Sequence, residues 1–218
     1  MNKLTEIIGK AVLIRWLIVA AFVLSGIIWA YHIMTEGVDK KLLLPVYGPQ
    51  QEDGRFHTVK DFVLTNQNGE SITPEVFEDK IYIADFFFVN CEGICPIMSN
   101  QMERVAGNFK DNFNVMFLSH TVKPEEDSVP VLKAYALEHH ADDRQWHFVT
   151  GERTVINDLA RSSYMLVGED DDGGVDFVHT PSFALVDEQR RIRGFYNGTD
   201  SMEVNKLISD IGLLLQEE

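Results

Sequence analysis

Cysteine is almost missing from this chain, with two in 218 residues, Cys91 and Cys95. That excludes a disulfide framework, and a close pair reads instead as redox or metal chemistry. Positive charge is scarce as well: 19 Lys and Arg stand against 34 Asp and Glu, a formal net charge of -15. Nucleic acid is thereby excluded as a partner, because most of the surface would repel a phosphate backbone. The acidic excess lies wholly beyond residue 31, since Lys3, Lys10 and Arg15 outweigh Glu6 before it. The balance suits an extracytoplasmic domain whose partners are proteins or cations. No internal repeat and no low-complexity tract is present.

Only one apolar run is long enough to cross a bilayer. Ala11–Tyr31 holds a single charge, Arg15, near one end, and matches the ~20 residues that a spanning helix needs. Arg15 can snorkel to the interface, and Trp16, Trp29 and Tyr31 sit where amphipathic rings prefer to lie. A cleaved signal peptide is the competing reading, but its apolar core is usually about 7–15 residues and no A-x-A-like site surrounds Ala30. The basic leading side predicts a single-pass protein of the cytoplasmic membrane, N-terminus in the cytoplasm and domain on the periplasmic side; Lys40 and Lys41 beyond the run work against that orientation. The expected divisions are a leader over 1–10, an anchor over 11–31, an arm over 32–54 and a domain over 55–218. The short basic leader, without an Arg-rich transit segment, points to bacteria rather than mitochondria.

Within the domain, strand and helix patterns alternate. Phe62–Thr65 and Glu70–Ile72 flank an Asn-Gly turn and predict a hairpin. Thr73-Pro74 opens a short helix. Ile81–Phe88 reads as a buried strand, followed by helix over Pro96–Phe109 and a second apolar run at Phe113–Leu118. A helix over Asp127–His139, a strand at Trp146–Val149 and a helix from Thr150 through Ala160 come next. Ser182–Val186 and Ile192–Tyr196 form an antiparallel hairpin, and an amphipathic helix over Met202–Leu215 closes the chain. This order is that of an α/β, thioredoxin-like domain, a central mixed sheet flanked by helices.

Both cysteines fall on the turn from the Ile81–Phe88 strand into a helix. Free N–H groups and the helix dipole favour thiolate there, so both thiols are expected to have lowered pKa values. Spacing alone leaves a disulfide, a redox couple and half of a metal site all open. Asp85, inside the apolar strand, requires a partner or a raised pKa. Met98 and Met102 read as core packing, with soft thioether ligation as the alternative. His120 reads as a bystander, His139 and His140 as solvated, and His57 and His147 show no partner pattern. The acidic run Glu169–Asp172 lacks the spacing of a calcium loop and reads as a solvated turn.

Four pieces carry a resemblance to a known family: Phe88-Val89-Asn90-Cys91-Glu92-Gly93-Ile94-Cys95-Pro96; Leu118 to Asp127; Trp146 to Gly151; and Val178-His179-Thr180 before the strand at Ser182. Together, over about residues 42–215, they resemble the SCO/SenC family of thioredoxin-like copper proteins that serve assembly of the copper centre of cytochrome c oxidase. Lys123 departs from the family's usual Asp, and Val89-Asn90 from a Thr-containing pair. The resemblance implies copper as cofactor, with Cys91, Cys95 and His179 as ligands, and an oxidase subunit or other copper-accepting protein as partner. Soft thiolates suit Cu(I) and imidazole suits both oxidation states, so such a set holds copper through a redox change. It also implies an alternative, a thiol-disulfide oxidoreductase using Cys91 and Cys95 as its redox pair and recharged by a thioredoxin-like reductant. A cis Thr180–Pro181 bond beside the site is a further expectation from the fold.

Overall fold

The computed structural model describes residues 15–31, 44–50, 53–166 and 181–217. The chain divides into two compact units, Met1–Leu43 and Leu44–Glu218. In the first, residues 15–31 form a helix, α1, exposed along its whole length, with Trp16, Phe22, Ile28 and Trp29 among its exposed apolar side chains. Among the described residues no helix is long and apolar enough to cross a membrane. The first residues of the expected anchor, 11–14, lie outside the described residues.

The second unit is built on a mixed sheet. Its strands are β1 (Leu64–Asn66), β2 (Ser71–Ile72), β3 (Ile81–Phe87), β4 (Val115–Thr121), β5 (Trp146–Thr150), β6 (Ser182–Val186) and β7 (Ile192–Asn197). They lie in the order β2-β1-β5-β4-β3-β6-β7. The central strands β3, β4 and β5 run parallel, which explains their near-continuous apolar sequences: both of their faces are covered. Helices α2 (Cys95–Asn108) and α3 (Val129–Glu138) make the two crossovers, α4 (Arg153–Asp158) widens into a π turn over Leu159–Ser163, and α5 (Ser201–Leu214) ends the fold.

Alternation along β3 and β4 separates two apolar layers. Ile83, Phe87, Phe117, Cys95, Leu132 and Leu207 share the layer beneath α2, α3 and α5; Tyr82, Ala84, Leu118, Ile156, Leu159 and Tyr164 share the layer beneath α4. Met98 and Met102 are 1% and 0% exposed within the first. They are core, and the thioether alternative has no geometric support.

The β1–β2 hairpin follows its turn chemistry. The Asn66 side-chain oxygen accepts from the N–H groups of Asn68 and Glu70, each at 2.9 Å, and Gly69 takes φ +78, where a side chain would be strained. At the sheet's other side, the Tyr47 N–H pairs with the Ile192 carbonyl at 2.9 Å. Arg193 beside it, 4% exposed, bonds Asp187 at 3.0 Å, Glu217 at 3.0 Å, the Leu44 carbonyl at 2.8 Å and the Pro45 carbonyl at 3.2 Å. One guanidinium fork thus fastens the first residues of the unit to its last ones.

Candidate metal centre

β3 delivers the chain to the centre of the sheet, and residues 88–94 turn it into α2. That helix begins without a conventional cap: its N-cap residue is Ile94, no side chain caps it, and Pro96 fills the first turn. The orphan N–H groups are taken up by sulfur. Cys91 Sγ accepts from the backbone N–H groups of Gly93, Ile94 and Cys95 and from the Cys95 thiol.

The two cysteines are free and differently placed, Cys91 half-buried and Cys95 buried. Partial burial pushes the Cys91 thiol up, but the hydrogen bonds from Cys95, Gly93 and Ile94 outweigh it and its pKa falls below the ordinary value. For Cys95 the outcome is the reverse. Burial, then its hydrogen bond to Cys91, push its thiol up to about 12 against the opposing Phe88 N–H. The expectation that both thiols are acidified is therefore corrected: the helix N-terminus serves one sulfur, and desolvation keeps the other protonated.

Asp85 lies on the same face as Cys95, 2% exposed. Burial raises its pKa to about 7, a bond to Ser119 opposing, and its Oδ1 has no partner. Ser119 in turn accepts the Trp146 indole N–H at 2.9 Å. His120 faces the other layer, stacked on Phe86 at 4.5 Å with Nδ1 3.1 Å from the Asp85 carbonyl oxygen. Burial lowers its pKa to about 4, so it is a neutral imidazole whose Nε2 is unpaired.

Among the described residues the other histidines, His57, His139, His140 and His147, make structural contacts. His139, expected to be solvated, is 7% exposed; it and His140 approach the same Glu103 carboxylate at 3.4 and 3.0 Å. They share it because α3 ends at Glu138 and His140 turns to φ 51, which helical spacing could not anticipate. His57 Nε2 lies 2.7 Å from the Ser163 carbonyl, and His147 Nδ1 lies 3.5 Å from the Asn66 amide.

Among the described residues no three His, Cys, Asp or Glu side chains are grouped to hold a metal ion. His179, the acidic run Glu169–Asp172 and Thr180 of the Thr180–Pro181 bond all lie outside the described residues. The structure thus brings together Cys91 and Cys95 at the start of α2. Two adjacent sulfurs, one half-buried with its thiol pKa lowered, fit a soft ion such as Cu(I).

A mixed sheet with this crossover order and a thiol pair at the end of its central strand defines a thioredoxin-like protein. The SCO1/SenC family profile matches residues 50–215. A SCO1 protein homolog of Bacillus subtilis strain 168 is 30% identical over 180 residues, 82% of this chain and 93% of that protein. BsSco, described as a member of the Sco family of cytochrome c oxidase assembly proteins with a disulfide switch, superposes with TM-score 0.64 at 29% identity, covering 74% of this chain and 95% of its own. Bradyrhizobium japonicum ScoI, solved with copper bound, superposes with TM-score 0.57 at 22% identity, covering 72% and 99%. The chain belongs to the SCO1/SenC family.

Proposed function

We propose that this protein is a copper metallochaperone for cytochrome c oxidase assembly, binding the ion through Cys91, Cys95 and His179. The observation that carries the reading is the Cys91 sulfur, half-buried and held by three backbone N–H groups. It is a preformed soft donor at the surface, with a second sulfur beneath it. Copper supplies the one-electron couple; the protein supplies two thiolates, and Cys95 must release its proton as the ion enters. Affinity accordingly falls as pH falls. Three protein ligands leave a position open to a recipient's ligand. The exposed apolar side chains of α1 support a membrane anchor over 11–31 that keeps the domain on the periplasmic side.

The asymmetry of the pair favours a second reading. A low-pKa, accessible Cys91 and a protonated, buried Cys95 are the attacking and resolving thiols of a disulfide reductase. Cys91 would attack a partner's disulfide, and Cys95 would then displace the reduced partner and close the Cys91–Cys95 bond.

Copper titration of the reduced full-length protein in detergent tests the first reading against the second. One Cu(I) per chain, bound more weakly by His179→Ala, is the expected result. No uptake by wild type, together with rapid metal-free reduction of a protein disulfide, would leave the reductase alone.

A further inference from the structure

Two successive peptide groups lead from β3 into the cysteine turn, and both are gripped by the loop between β4 and α3. The Phe87 carbonyl accepts the Val122 N–H at 2.8 Å, while the amide of that same peptide, Phe88 N–H, donates to the Cys95 sulfur. The next amide, Val89 N–H, donates to Asp127 Oδ2 at 3.2 Å. That oxygen also accepts the Thr121 hydroxyl, whose own oxygen accepts the Lys123 N–H at 3.1 Å. The Lys123 ammonium lies 4.5 Å over the Phe88 ring. Both peptide planes flanking the Phe88 Cα are therefore set from one loop.

Helix capping does not explain Asp127. It is 1% exposed, yet the N-cap of α3 is Ser128 and no side chain caps that helix. The carboxylate turns away from the free N–H groups of its own helix and is buried against the turn. A buried carboxylate is costly unless fully hydrogen-bonded, and the two bonds to this one tie the end of β4, through Thr121, to the segment carrying the thiols, through Val89.

We propose that Asp127, set by Thr121, is a positioning residue for the Cys91–Cys95 pair, fixing the backbone on which Cys91 is carried and from which the Phe88 N–H reaches Cys95. The inference rests on the reading of the two cysteines as one working site, but its geometry concerns the thiols with or without copper. Outer partners of this kind orient the donors that touch the ion.

The test uses the full-length protein in detergent and three variants: Asp127→Asn, Thr121→Val and, as a reference far from the turn, Arg193→Met. Three quantities are read: the dithiol–disulfide equilibrium against glutathione without metal, the Cu(I) dissociation constant by competition, and the melting curve. Asp127→Asn should shift the thiol equilibrium toward disulfide by about fivefold, the equivalent of one net hydrogen bond, and weaken Cu(I) binding by about tenfold. Thr121→Val should move both in the same direction by less, and it decides the matter if Asp127→Asn does not fold. Arg193→Met should lower the melting temperature and leave the thiol equilibrium at the wild-type value. The proposal is overturned if the folded Asp127 and Thr121 variants keep wild-type thiol equilibria, or if Arg193→Met shifts them equally. A wild type that binds no copper, with an Asp127 variant that still shifts the thiol equilibrium, would end the copper reading and uphold the positioning role.

Discussion

Buried polar groups at the two ends of β3 are treated in opposite ways. At its start, Arg193 pairs with Asp187 and Glu217 and takes up two carbonyls as well. At its finish, Asp85 keeps an unpaired oxygen, His120 an unpaired nitrogen, and two thiols stay unbridged. Saturation fastens chain ends that have no chemistry to do. Beside the cysteine turn burial instead holds Asp85 and His120 in their neutral forms.

The comparison can be broken at either end. Arg193→Met takes the guanidinium from Glu217, from two carbonyls and from Asp187, which keeps Arg191, and should cost about 3–5 kcal/mol, read by denaturant unfolding; a loss under about 1 kcal/mol would show that this end is not the fastening we describe. At the other end the pH dependence carries the signal. Asp85 stays protonated in the fold up to about 7 but ionises near 4 when unfolded, so its contribution is lost as pH rises between those values. His120 protonates near 4 in the fold but near 6.5 when unfolded, so its contribution is lost as pH falls through that window. The two trends oppose and largely offset each other from about pH 4 to 6.5, so that the loss on acidification left in this window comes from His147, whose pKa burial also lowers.

Asp85→Asn should expose the histidine trend and raise stability at pH 8 by about 2–3 kcal/mol; no gain would mean that the ionised acid finds a partner in the fold. His120→Phe should expose the carboxyl trend, with about 1–2 kcal/mol less loss near pH 4, measured in the same unfolding series. Smallest of all is Gly93→Ala. A Cβ there would lie 3.9 Å from Cys91 Sγ, in ordinary contact, so stability should stay within about 0.5 kcal/mol while alkylation of Cys91 slows.

Periodicity made the fold legible. Buried parallel strands such as Ile81–Phe87 and the amphipathic α5 declare themselves by spacing, as did the hairpin through its Asn-Gly turn. The cysteine turn was legible by position, but the state of Cys95 was not. A dipole argument treats both sulfurs alike, whereas burial, a property of tertiary packing, separates them. Asp127 was hidden for a related reason. In sequence it looks like the start of a helix, and only the fold shows its carboxylate turned to Val89. His140 is solvated as its position suggested, whereas His139 was misjudged because the end of the helix tucks it against Tyr135 and Glu103.

The account stands on the asymmetry of the pair, and ultraviolet thiolate absorbance of the reduced, metal-free protein against pH measures it directly. One thiol should ionise below the ordinary cysteine value of about 8.5 and the second only as pH approaches about 12, with Cys91→Ser abolishing the lower step. Two thiols titrating together in the ordinary range, or a lower step that survives Cys91→Ser, would contradict it.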